Sequence, residues 1–239
     1  ARKHGKTTIL CNMALNAAAE NIRRYREGIE SSLKKVLFVS YEVTYARLLQ
    51  KLLSIFLNDP RISNNSARTI LSYYKGKGAQ YFNGEEEGEG YKDFLKNKDA
   101  FFTDYINSGA LTIITADKVL ERANKKLTVE NLVAYAEAFL RNNSVSLLAL
   151  DYIQEIYTEK KYGTRVEELK YIGEVLRDFA NGEKLPILCA AQFNRQIQSL
   201  IDLITSNIGE AGDLERNGID VISAFNLKEL GRIRGNKSP

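Results

Sequence analysis

Apolar runs no longer than a strand, each separated from the next by a helix-length stretch, confine this chain to a narrow set of folds. Lys35-Val36-Leu37-Phe38-Val39-Ser40, Leu111-Thr112-Ile113-Ile114, Ser146-Leu147-Leu148-Ala149-Leu150-Asp151, Ile187-Leu188-Cys189-Ala190-Ala191 and Ile219 to Phe225 are such runs. A strand buried on both faces of a parallel sheet has this continuous apolar character. Between the runs lie candidate helices: Tyr45 to Phe56, Phe94 to Asn107, and Thr128 to Arg141 with Thr128 as N-cap and Glu130 in the first turn. A further helix is expected over Arg165 to Phe179, where Val166, Leu169, Ile172, Val175, Leu176 and Phe179 recur at close to helical period; Gly182 and Pro186 should end it. Strands alternating with helices predict an α/β fold, a mostly parallel sheet flanked by helices on both faces. A length of 239 residues suits a single domain of this type.

The chain opens with Ala1-Arg2-Lys3-His4-Gly5-Lys6-Thr7-Thr8. Gly5, Lys6 and Thr7 fill the last three places of the phosphate-binding pattern G-x-x-x-x-G-K-[ST], and Ala1 to His4 fill its variable places. The first glycine would precede Ala1, so the chain is expected to begin inside the motif. In such a loop, backbone N–H groups cradle phosphate, the lysine reaches the β- and γ-phosphates, and the hydroxyl ligates Mg²⁺. Ile9 to Ala19, rich in Ala and Leu and free of Gly and Pro, suits the helix whose N-terminus must face the phosphates. A G-K-T triplet also occurs in ordinary surface loops. His4, the only histidine, sits in a variable loop place, and one histidine leaves no metal cluster to propose.

Two acidic residues stand at strand ends, where open α/β sheets bind their ligands. Glu42 lies just past Ser40, and two readings of it stand side by side: chemistry at the strand end, or a carboxylate suited to the macrodipole at the start of the next helix. Asp151 closes the most apolar run. It is either the aspartate that holds Mg²⁺ opposite the loop hydroxyl or a turn cap, and the co-occurrence of Gly5-Lys6-Thr7 favours the metal. Gln192, Asn194 and Arg195 follow a third strand directly.

The remaining sequence sets bounds. Asn58 to Ser66 is a turn-rich break, and Tyr73 to Gly90, with five glycines and the run Glu85-Glu86-Glu87, is expected to be a mobile surface insertion with little to bury. Ser206 to Gly218 is interrupted by glycine, and a basic tail carries Arg232, Arg234 and Lys237. The longest apolar runs fall far short of the roughly 18 residues needed to span a bilayer. Cys11 and Cys189 read as small core residues of a reducing compartment. A net charge of +4, from 34 basic and 30 acidic residues, fits a nucleic-acid partner and an ordinary basic enzyme equally.

In this order the landmarks resemble the C-terminal, RecA-like motor domain of DnaB-type replicative helicases. Gly5-Lys6-Thr7 is similar to the family's P-loop, and Leu37-Phe38-Val39-Ser40-Tyr41-Glu42 to its F-S-L-E segment. Leu150-Asp151-Tyr152-Ile153-Gln154 resembles its D-Y-L-Q segment, and Ala191-Gln192-Phe193-Asn194-Arg195 its S-Q-L-N-R segment. Gly212-Asp213-Leu214-Glu215-Arg216 with Asp220 resembles its late acidic stretch, and Arg232-Ile233-Arg234-Gly235-Asn236 its K-x-R-N-G element, with Arg232 where the family has lysine. The resemblance implies an ATP-dependent DNA helicase motor that translocates on single-stranded DNA as a homohexameric ring. A RecA-like DNA-binding or regulatory ATPase without unwinding is the alternative. The implied cofactors are ATP and Mg²⁺, with His4, Gly5, Lys6, Thr7 and Thr8 around the nucleotide and Thr7 and Asp151 on the metal. It implies that Glu42 activates water, that Gln192 senses the γ-phosphate, and that Arg232 and Arg234 complete a neighbour's site. Lys160, Lys161 and Arg195 would meet the DNA backbone, although Lys160 and Lys161 also read as a solvated surface pair. A replication loader or primase as partner, no membrane, and a cytoplasmic, phage- or mobile-element-related setting complete the expectation.

Overall fold

A computed structural model of the chain describes residues 5–57, 89–116 and 127–192. Its elements run α1 (Lys6–Arg26), β1 (Lys35–Ser40), α2 (Tyr45–Leu57), α3 (Glu89–Phe101), a π-helical turn (Phe102–Asn107), β2 (Leu111–Thr115), α4 (Val129–Leu140), β3 (Val145–Asp151), a short 3₁₀ turn (Ile153–Glu155), α5 (Arg165–Glu183) and β4 (Ile187–Cys189). Among the described residues four strands form one sheet in the order β2-β1-β3-β4, and every pairing among them is parallel.

Because successive side chains of a strand point to opposite faces, each apolar run feeds two cores. Val36 and Phe38 of β1 pack with Ala149 of β3 and with Leu10, Ala14 and Ala18 of α1 and Leu48 and Leu52 of α2. Leu37 and Val39 pack the other way, with Leu148 and Leu150 of β3, Leu132 of α4 and Leu169 and Ile172 of α5. Helices therefore cover both faces, as the alternation predicts.

The one irregularity in the β1–β3 ladder falls between Lys35 and Val36, opposite Ser146. The buried amide of Asn21 in α1 donates to the Ser146 hydroxyl at 2.7 Å. A polar tie thus anchors the far end of α1 to β3, where the ladder is interrupted.

Local signals account for most boundaries. Thr128 caps α4, its hydroxyl accepting from the Asn131 N–H. Thr164 and Glu167 form a complete capping box at the start of α5. Three expectations need correction. α5 runs through Gly182 to Glu183, four residues past Phe179, and the left-handed residue that ends it is Lys184 at φ 52°. The helix expected over Phe94 to Asn107 begins at Glu89, taking in the last two residues of the expected insertion, and its final turn is π-helical. The strand expected over Ile187 to Ala191 stops at Cys189. The break at Asn58 to Ser66, the insertion over Tyr73 to Gly88, the Ser206 to Gly218 segment, the strand at Ile219 to Phe225 and the basic tail lie outside the described residues.

Candidate active site

The C-terminal ends of the strands carry a buried polar row. Thr115, Ser40 and Asp151 are in register on neighbouring strands and are fully buried, beneath the face that carries α1. Ser40 accepts the Val43 N–H and so shapes the turn that leaves β1, while the Tyr41 N–H donates to the Asp151 carbonyl at 2.8 Å. Two atoms of the row, Thr115 Oγ1 and Asp151 Oδ2, have no hydrogen-bond partner among the described residues. A buried carboxylate oxygen left unmatched is expensive, and native proteins keep such groups where a ligand matches them.

Helix α1 starts against this row. Gly5 precedes it at φ 81°, a left-handed conformation that residues with a Cβ rarely adopt, and its carbonyl accepts the Ile9 N–H. Among the described residues no side chain caps the helix, and its first turn holds no acidic residue. The leading N–H groups therefore present their partial positive charge to an incoming anion. The Thr7 hydroxyl donates to Asp151 Oδ1 at 3.2 Å, across 144 positions of sequence.

Electrostatics follow from that closeness. Burial lowers the Lys6 pKa below its ordinary value, against the opposing pull of Asp151 and Glu42. Burial likewise raises that of Asp151; the Thr7 hydrogen bond lowers it, the charge of Glu42 raises it, and Lys6 and Lys51 lower it. The Lys6 ammonium lies 5.0 Å from the centroid of the Tyr152 ring. Lys6, Thr7, Asp151 and Glu42 are thus gathered at one edge of the sheet. Glu42 is exposed there, whereas Asp151 is sealed in.

Thr8 lies beside them on the first turn of α1, where its carbonyl accepts the Asn12 amide. Gln192 ends the described chain after β4, its main chain held by Gln154. Lys160 and Lys161 are exposed in the loop after β3, with the Lys160 ammonium 5.4 Å from the Tyr162 ring centroid. Glu159 of that loop reaches α4 through Asn131 and Glu130, and Thr158 reaches Glu168 of α5. The loop therefore lies against the two helices on the face opposite α1. His4, Arg195, Arg232 and Arg234 lie outside the described residues. Sequence reasoning missed Lys51 in the field of Asp151 and gave no role to Tyr152 and Gln154, although both stand in the segment that resembles D-Y-L-Q. The motif marks their positions, but their contacts depend on which strands and helices become neighbours.

A glycine-led helix start facing a strand-end aspartate, on a parallel sheet covered on both faces, defines a RecA-like α/β domain of the P-loop class. The fold is also that of a solved DnaB-like replicative helicase, described with its interactions with primase: TM-score 0.63, 15% identity, over 91% of this chain and 44% of that one. A family model described as the DnaB-like helicase C terminal domain matches residues 100–230, more than half of the chain. The chain belongs to this family. It is 33% identical over 94 residues to the replicative DNA helicase DnaB of Buchnera aphidicola, covering 38% of this chain and 20% of that protein. It is also 24% identical over 227 residues to a probable plasmid replicative DNA helicase of Chlamydia psittaci, covering 94% of this chain and 40% of that one. Thus the chain spans between a fifth and two fifths of the length of these relatives.

Proposed function

We propose that the chain is the ATP-hydrolysing motor of a DNA helicase, a ring of identical subunits that moves along single-stranded DNA. The observation that carries this reading is the Thr7–Asp151 contact, which brings a helix start with no side-chain cap among the described residues against a buried carboxylate whose second oxygen has no partner among them. A hydroxyl and a carboxylate are hard oxygen donors, suited to Mg²⁺ with its remaining places filled by water and phosphate. Thr7 and Asp151 would hold the ion, which when bound supplies charge that neutralises the phosphates.

The chain's own residues do the rest. Lys6, poorly solvated and already drawn towards anions, binds the β- and γ-phosphate oxygens, and the α1 N–H groups from Lys6 to Thr8 meet the remaining oxygens. His4 would flank the same loop. Glu42, exposed and beside this charge cluster, accepts a proton from the attacking water as its oxygen bonds to the γ-phosphorus and the bond to the β-phosphate oxygen breaks. Gln192, at the end of β4, would report whether the γ-phosphate is present. Arg232 and Arg234 of one subunit would stabilise charge in its neighbour's site, and Lys160, Lys161 and Arg195 would hold the DNA backbone without reading bases. The plasmid helicase among the relatives favours a mobile-element setting, and the primase named with the solved helicase makes primase a partner to test.

The test is strand displacement with ATP turnover measured in parallel on the full-length protein. ATP- and Mg²⁺-dependent unwinding, stimulated by single-stranded DNA, is expected. ATP turnover without strand separation would instead make the chain a DNA-binding or regulatory ATPase.

A further inference from the structure

The ladder between β3 and β4 does not end where the strands do. The Leu148 N–H donates to the Pro186 carbonyl at 3.0 Å, the Ala190 N–H to Leu150 at 2.9 Å, and the Ile153 N–H to Ala190 at 2.9 Å. Beyond Ile153 the chain coils into the 3₁₀ turn Ile153–Glu155, so its backbone can no longer pair with the segment leaving β4. The Gln154 side chain takes over. Its Oε1 accepts the Gln192 N–H at 3.0 Å, and its Nε2 donates to the Gln192 carbonyl at 2.9 Å. A primary amide offers one acceptor and a pair of donor hydrogens, the complement of one residue's main chain. The side chain thus stands in for a further rung.

The clamp is itself anchored. The Arg165 Nη2 donates to the carbonyls of Gln154, at 2.8 Å, and of Ile156, at 2.6 Å. Arg165 also pairs with Glu168, and its guanidinium lies 5.1 Å from the Tyr157 ring centroid. Glu168 accepts in turn from the Thr158 hydroxyl at 3.0 Å and the Thr158 N–H at 3.1 Å. Direct contacts therefore run from the main chain of Gln192, through Gln154 and Arg165, to the loop after β3.

We infer that Gln154 is a positioning residue: it holds the main chain of Gln192 at the end of β4 and joins that segment to the loop 155–164. This deepens, and rests on, the proposal that Gln192 answers to the γ-phosphate. If the main chain of Gln192 is free to shift, its side chain is presented to the phosphate in many orientations. Turnover then suffers while nucleotide binding, which depends on α1, does not.

The test uses the full-length protein and two substitutions. Gln154→Met keeps the side-chain volume and removes both hydrogen bonds. Gln154→Glu keeps the acceptor for the Gln192 N–H and loses the donor. Amide hydrogen exchange at Gln192 in the nucleotide-free state should quicken about tenfold in Gln154→Met, the worth of a typical net hydrogen bond, and less in Gln154→Glu. In Gln154→Met, kcat should fall several-fold with KM for ATP unchanged. Wild-type exchange at Gln192 in the Met variant would overturn the clamp. Faster exchange with unchanged kcat would overturn the positioning role. A wild-type protein without ATP turnover would count against the proposed function alone, because the exchange comparison needs no nucleotide.

Discussion

Two acidic residues leave the ends of adjacent, registered strands, and the fold treats them in opposite ways. Asp151 is sealed beneath α1, bonded through one oxygen to Thr7, and followed by a loop tied to α4 and α5. Glu42 is exposed on a short turn shaped by Ser40. A carboxylate that holds an ion gains from fixed geometry and few competing waters, whereas one that takes a proton from water must let water in. Asp151 is the last residue of its strand, in register with Ser40, while Glu42 stands two residues past Ser40 on the turn, and that offset separates a buried carboxylate from an exposed one at the same sheet edge.

The strongest way to break the comparison is to remove the charge that both carboxylates feel. Lys6→Ala should lower ATP turnover by at least about 10³-fold, the upper end for one preorganised charge-stabilising group, with circular dichroism unchanged. Wild-type ATP affinity and turnover in that folded variant would refute the phosphate role. Next, Glu42→Gln should slow turnover by about 10²-fold while nearly normal ATP binding persists. Unchanged turnover would return Glu42 to a helix-start carboxylate.

Asp151→Asn sharpens the contrast from the other side. Its carboxyl is raised above the ordinary range chiefly by burial, so ionised Asp151 costs folding stability at neutral pH. That cost is present above the folded-state pKa and disappears as pH falls through it towards the unfolded value, where both states are protonated. The nucleotide-free Asn variant should therefore melt higher than wild type at neutral pH, by about 2–4 °C for each kcal/mol relieved, and the gap should close on acidification. Added Mg²⁺ and ATP should reverse the order. Scanning calorimetry against pH, with and without nucleotide, reads both effects, and a variant that melts lower throughout would contradict them. The smallest effect is expected from Thr164→Ala, which removes the capping box where the tied loop enters α5. A loss of about 1 kcal/mol is expected by urea denaturation, with turnover intact.

What was legible in the sequence had local causes. The ends of β1 and β3 could be read because their apolar runs stop abruptly at Ser40 and Asp151, and Thr128 could be read because an N-cap needs only its own helix. The pairing of Thr7 with Asp151 became legible only through a motif joining distant positions. Gln154 stood in the D-Y-L-Q-like segment, but its partner could not be read, since an amide matches a main chain only after β4 has been laid beside β3. The end of α5 is not readable from its glycine, because Lys184, although it carries a Cβ, takes the left-handed turn while Gly182 stays helical.

The packing of α1 on the sheet has a consequence for tolerance. Cys11, Ala14 and Ala18 are fully buried in the core shared with Ala149 of β3, so the helix is seated by some of the smallest side chains available. Ala14 stands eight residues from Lys6, about 12 Å along the axis. A methylene added there would press on the close-packed core beneath the helix and so would shift the helix that carries Thr7. The seating of Lys6 and Thr7 over the sheet edge thus depends on the thickness of a methyl group two turns away, so a change that leaves every charged residue intact can still shift them.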